Sequence, residues 1–108
     1  MNSKQKGKRG ELELVKKLKE YGFDARRTQQ YCGTEGDADI RGLPGIHIEC
    51  KRVERLNLEE AMQQAVEDSA ERPALPVVMH KRNGGQWMVT MLFDDWMELY
   101  GLKEENNE

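Results

Sequence analysis

Apolar and polar residues recur along this chain in two rhythms, and each change of rhythm marks an element. From Gly10 to Tyr21 the apolar residues Leu14, Val15, Leu18 and Tyr21 fall at helical spacing, and Gly22 supplies a stop. Phe23 to Tyr31 predicts a strand that turns at Gly33. Asp37 to Arg41 and Ile46 to Lys51 then alternate with period two on either side of the turn signal Leu43-Pro44-Gly45. Asn57 is the expected N-cap of a second helix, with Glu60 at the third helical position in a variant of the capping box. Leu58, Ala61, Met62, Ala65, Val66 and Ser69 form that helix's inward stripe, and Pro73 and Pro76 bracket its end. Leu75 to His80 and Gln86 to Leu92 predict a strand pair around Asn83-Gly84-Gly85. Asp94 or Asp95 is expected to cap a last short helix, with Phe93, Trp96, Met97 and Tyr100 on its inner side. The order α-β-β-β-α-β-β-α points to an α/β or α+β fold, with helices packed on a sheet.

Length and composition add bounds. With 108 residues and 37% hydrophobic content, the chain can build one domain with one modest core, and residues 1–6 and 103–108 are expected to be loose ends. A net charge of −3 argues weakly against a general nucleic-acid binder, but the charge is unevenly spread. Basic residues gather at Lys4 to Arg9, at Arg26 and Arg27, and at Lys51, Arg52 and Arg55, while much of the acid lies in Glu59 to Glu71 and Glu104 to Glu108. Two cysteines, Cys32 and Cys50, are too few for a disulfide framework or a four-thiolate zinc site. No apolar run suits a bilayer or a signal peptide, so the expectation is a soluble cytoplasmic protein with no membrane partner.

The hairpin from Asp37 to Lys51 carries the chemistry. Ile46, Ile48 and Cys50 share one strand face, and His47, Glu49 and Lys51 share the other. A three-residue turn pairing Gly42 with Ile46 would set Asp39 opposite Glu49 and Asp37 opposite Lys51, on one side of the sheet. Facing carboxylates destabilise a sheet unless something compensates them, and a hard divalent cation does so. Lys51, about 7 Å along the same face from Glu49, is placed to stabilise charge or to position a water. Metal, acids and lysine together suit phosphodiester hydrolysis.

Gly36-Asp37-Ala38-Asp39-Ile40 followed by Ile48-Glu49-Cys50-Lys51 resembles the PD-(D/E)XK nuclease superfamily, with Ala38-Asp39 in place of the usual Pro-Asp. Asp39, which precedes the apolar Ile40 and faces Glu49, matches the motif's aspartate better than Asp37 does. Gly7-Lys8-Arg9-Gly10-Glu11, leading into a helix that ends near Tyr21-Gly22-Phe23, is similar to the opening of the Holliday-junction-resolvase-like branch, in small phage or prophage endonucleases. The resemblance covers roughly Lys6 to Leu92. It implies a restriction-endonuclease-like α-β-β-β-α-β core with a mixed sheet, an Mg²⁺ or Mn²⁺ cofactor and a DNA substrate. It further implies metal ligands at Glu11, Asp39, Glu49 and the Cys50 backbone carbonyl, with Lys51 and Gln64 completing the catalytic set.

Blander readings compete at several positions. The hairpin could be an ordinary amphipathic one, though Asp39 would then face Glu49 uncompensated. Glu11 suits a helix's first turn, yet Leu14 and Val15 place it beside the buried stripe. Gln64 could simply face solvent. His47 and His80 could each be a ligand or general base, but the expectation is surface histidines or phosphate contacts, and Cys50 is expected as a small buried residue. Trp87, Phe93, Trp96 and Tyr100 are expected to pack in the core or in a dimer contact. Lys8, Arg9, Arg26, Arg27, Arg52 and Arg55 are candidates for neutralising phosphates. The resulting expectation is a metal-dependent, structure-selective DNA endonuclease, resolvase-like and homodimeric, with no organic cofactor. The rival is an inactive or partner-dependent nucleic-acid-binding module on the same fold.

Overall fold

A computed structural model describes residues 3–28, 38–70 and 73–106. The elements are α1 (Ser3–Glu20), β1 (Arg26–Arg27), β2 (Ile40–Arg41), β3 (Ile46–Arg52), α2 (Leu58–Ser69), β4 (Leu75–Lys81), β5 (Met88–Met91) and α3 (Phe93–Asn106). The five strands form one sheet in the order β1-β2-β3-β4-β5. β3 and β4 run parallel, joined through α2, and every other neighbouring pair is antiparallel.

Each face of the sheet centre is covered by one helix. α1 lays Leu14 and Val15 against Ala25, Ile40, Ile48, Val77 and Met79, and Cys50 packs at the margin of that cluster. α2 lays Ala61, Met62 and Ala65 against Val78 on the opposite face. Fully burying an aliphatic side chain contributes roughly 1.5–3 kcal/mol, so Ile40, Ile48, Val77 and Val78, all under 2% exposed or at 2%, anchor the hairpin and β4 between the two layers.

Local chemistry sets the ends of these elements. Asn57 Oδ1 accepts from Glu60 N (3.1 Å) and caps α2. Glu60's carboxylate meets Asn57 Nδ2 (3.2 Å) rather than the cap's backbone, which is the variant form of the box. Gly42 stands at φ +125, and a Cβ there would collide with the backbone of Asp24 and Ala25, so only glycine lets the hairpin seat against that segment. Gly10 has a similar role in α1. A Cβ there would overlap the Arg52 side chain, so the bare glycine lets the helix approach the end of β3.

The structure departs from the sequence reading at several points. α1 begins at Ser3 and α3 runs to Asn106, helical within the stretches expected to be loose. In α2, Leu58 and Val66 are each 36% exposed and lie outside the buried stripe. Asp94 and Asp95 sit inside the first turn of α3 rather than capping it. No residue of α3 is buried, and Phe93, Trp96, Met97 and Tyr100 face outward. The reason is geometric: α1 and α2 already occupy the two faces of the sheet centre, leaving no intramolecular surface for α3's stripe. The expected strand from Phe23 to Tyr31 is seen as β1 and its flanks up to residue 28, and the remainder lies outside the described residues, as do Cys32 and Asp37.

Candidate active site

The β2–β3 register is the one the turn geometry predicted: Ile40 pairs with Ile48. One residue beyond it the regular ladder stops. Asp39 N donates to Ile48 O (2.9 Å), and the Asp39 carboxylate, not a backbone carbonyl, accepts from Cys50 N (2.8 Å). In an extended strand a residue's N–H and C=O point to the same side. The Cys50 carbonyl therefore faces the Asp39 side as well.

Glu49 and His47 lie on the β3 face that α2 covers; Glu49 is in register with Val78, the centre of that helix's contact. Glu49 is 6% and His47 3% exposed, and Glu49 Oε1 lies 3.0 Å from His47 Nε2. Burial pushes the Glu49 carboxyl up to about 7, the hydrogen bond to His47 opposes that rise, and the charge and side-chain hydrogen bond of Asp39 add to it. The Ile40–Ile48 register brings Asp39 and Glu49 to neighbouring positions, and the Asp39 charge disfavours the ionised form of Glu49. Lys51 follows on the same face, half-buried and in register with His80.

Glu11 comes from α1, one residue past the Gly10 close approach, and is 6% exposed. Its Oε1 accepts from Arg27 Nε at 2.8 Å. Burial raises its pKa, the Arg27 hydrogen bond lowers it, and Asp39's charge raises it further. Lys51 also acts on it, so Glu11 belongs to the same electrostatic neighbourhood as Asp39 and Lys51. Carboxylates such as Glu11, Asp39 and Glu49 are the hard oxygen donors that a divalent cation takes, although among the described residues the group whose ligand atoms all lie within 4.8 Å of one another is His47, Glu49 and Asp68.

Two residues stand differently from expectation. His47 and His80 are buried, at 3% and 9% exposed, and are not surface histidines. Alternation along β3 put His47 on a polar strand face, but α2 covers that face, and His80, at the end of β4, has its Nε2 2.9 Å from Thr90 Oγ1 on the neighbouring β5. Asp68 was not singled out by the sequence, yet one of its carboxylate oxygens lies within 4.8 Å of ligand atoms of both His47 and Glu49. The available signal was its place four residues after Gln64 on one helix face. Gln64 itself is exposed and donates from Nε2 to Asp68 Oδ1 (2.9 Å), so it touches the site's edge through Asp68.

The basic candidates divide by environment. Arg27 is engaged with Glu11. Arg52 bonds Glu13 (3.1 Å) and Asn83 (2.9 Å), and Lys81 also bonds Glu13 (2.7 Å), a tie joining α1 to β3 and β4. Burial would raise the Glu13 pKa, but the hydrogen bonds from Lys81 and Arg52 outweigh it and hold the carboxyl below its ordinary range. Lys8, Arg9, Arg26 and Arg55 are exposed, Arg26 with a long 3.9 Å contact to Asp24. Among the described residues no helix is long and apolar enough to cross a membrane.

Comparison with known proteins bears on the family and the fold. Residues 2–107 match the family described as "Phage putative PDDEXK endonuclease". Among solved structures, the chain is similar to Hjc of Archaeoglobus fulgidus, a Holliday junction resolvase from an archaeal hyperthermophile. The two share 26% identity with a TM-score of 0.61, over 80% of this chain and 72% of that one. No significant match is found among curated proteins.

Proposed function

The chain belongs to the phage PDDEXK endonuclease family, and from that premise we propose that it is a metal-dependent, structure-selective DNA endonuclease acting as a homodimer. The observation that carries the reading is the β2–β3 register, Ile40 opposite Ile48, which sets Asp39 and Glu49 at neighbouring positions with Lys51 two residues on. Asp39, Glu49 and the Cys50 carbonyl would hold Mg²⁺ or Mn²⁺, with Glu11 at the rim. When bound, the ion supplies Lewis-acid polarisation of the phosphate and a more acidic water. Cys50 N–H fixes the Asp39 carboxylate. Glu49 carries a proton more readily than an ordinary carboxyl and would have to release it to hold a cation. Lys51 offsets negative charge that builds on the phosphate. Arg27, paired with Glu11, holds that carboxylate at the site's edge.

DNA would meet the exposed Lys8, Arg9, Arg26 and Arg55, with Arg27 and Arg52 contributing from their ion pairs. Such binding reads backbone rather than sequence and should weaken with salt by a log–log slope of about −0.9 per neutralised phosphate. Selectivity for branched DNA is supported by the likeness to a Holliday junction resolvase. Two-fold junctions favour two-fold proteins. The apolar stripe of α3, with Trp96 and Tyr100 stacked at 5.4 Å, together with the exposed Met88, Val89 and Leu92, offers a surface for the second copy.

The test is a panel of labelled four-way junction, flap, duplex and single-stranded substrates incubated with Mg²⁺ or Mn²⁺. Preferential, metal-dependent cutting of the junction is expected. Equal cutting of all forms would remove the structure selectivity. Binding without cutting in every case would favour the inactive module.

A further inference from the structure

We propose that His47, Glu49 and Asp68 form a second cation site, specific for a first-row transition ion and sharing Glu49 with the site at Asp39. The proposal rests on the nuclease reading only for the neighbouring site; the donors stand on their own geometry. One ligand atom from each of the three residues lies within 4.8 Å of the other two. They come from two elements, β3 and α2, so an ion between them would fasten the helix to the sheet it covers. His47 and Glu49 are more than nine-tenths buried, and their ligand atoms already converge, with Nε2 and Oε1 3.0 Å apart. An ion there would replace the proton shared by that pair. Asp68 is oriented for the task, since Gln64 Nε2 holds Oδ1 at 2.9 Å. That hydrogen bond is the kind of outer contact that fixes a metal-ligating carboxylate.

The donor set distinguishes this site from the one at Asp39. Carboxylate and carbonyl oxygens suit Mg²⁺ and Ca²⁺, whereas an imidazole nitrogen among two carboxylates suits Mn²⁺, Co²⁺ or Zn²⁺. Ca²⁺ should therefore occupy the Asp39 site alone, while Co²⁺ fills both.

Co²⁺ binding to the full chain tests this by calorimetry and by the visible absorption that changes when imidazole ligates the ion. Wild type is expected to bind two Co²⁺ but a single Ca²⁺. Asp68→Asn and His47→Gln should each lose one Co²⁺ and the imidazole-dependent band, with Ca²⁺ binding retained. Asp39→Asn should keep that band. Asp68 is only half-buried on its helix, so its variant decides the matter should His47→Gln fail to fold. An unchanged Co²⁺ count and spectrum in Asp68→Asn overturns the second site. The nuclease reading fails separately, through Asp39→Asn: cleavage that survives that change would sink it whatever Asp68 does.

Discussion

Replacing Glu49 with glutamine in the metal-free protein should stabilise it at about pH 8, where an ordinary buried hydrogen-bonded residue would lose stability on substitution. Burial pushes the native Glu49 carboxyl from its ordinary 4.5 up to about 7, with Asp39 adding to the rise. The sign follows directly. Between those values the unfolded chain releases its proton first, so the native state loses stability as pH rises through the window and carries the full penalty above it. At roughly 1.4 kcal/mol for each tenfold change in proton affinity, the penalty is on the order of 3 kcal/mol. The Glu49 side chain is 8% exposed, so solvent screening reduces this little. Glutamine keeps the shape, keeps an acceptor for His47 and offers Asp39 a donor in place of a competing acid. Thermal melts in chelator should show a gain on the order of 10 °C at about pH 8, shrinking toward zero near pH 4. Divalent metal should reverse the order, raising wild type and leaving the variant unmoved. A variant that melts below wild type at about pH 8 in chelator would refute the reasoning. The His47–Glu49 contact would then outweigh the repulsion from Asp39.

Other substitutions probe separate parts of the account. Lys51→Ala should lose cleavage with little change in melting temperature, because a half-buried charge at a strand end leaves no core cavity; circular dichroism melts beside activity assays decide this. Glu13→Gln should cost under about 1 kcal/mol, a figure discounted because the side chain is 38% exposed. Its contribution is present above the ordinary carboxylate range and is lost as pH falls through the lower native value, so melts of the variant and wild type should converge in acid. Trp96→Glu, which sets a charge in the exposed α3 stripe, should convert a dimer to a monomer in light scattering without unfolding the chain. A monomeric wild type near 12.5 kDa, with and without DNA, would leave that stripe without the role assigned to it.

Where sequence and structure agree, the reason is local. The period-two alternation of Ile46 to Lys51 and the turn at Leu43-Pro44-Gly45 set the register that joins Asp39 to Glu49. Asn57 marked the start of α2, since its side chain supplies the missing acceptor for Glu60 N. What the sequence hid depends on layers. Alternation shows which residues share a face but not whether a helix covers it, so buried His47 looked exposed and exposed Trp96 looked inward. Asp68 reaches the site only through the packing of α2 on β3 and β4, which no spacing in the chain reveals. Arg27 offered a charge for phosphate, and its pairing with Glu11 needed the third dimension to be seen.

The central claim is that the carboxylates at the end of the β2–β3 ladder drive cleavage. The direct measurement compares wild type with Asp39→Asn and Glu49→Gln on one labelled four-way junction. Binding is matched first in Ca²⁺ and cleavage is then started with Mg²⁺ or Mn²⁺. The account predicts comparable binding by all three proteins and product from wild type alone. Junction cleavage by Asp39→Asn at the wild-type rate would contradict it.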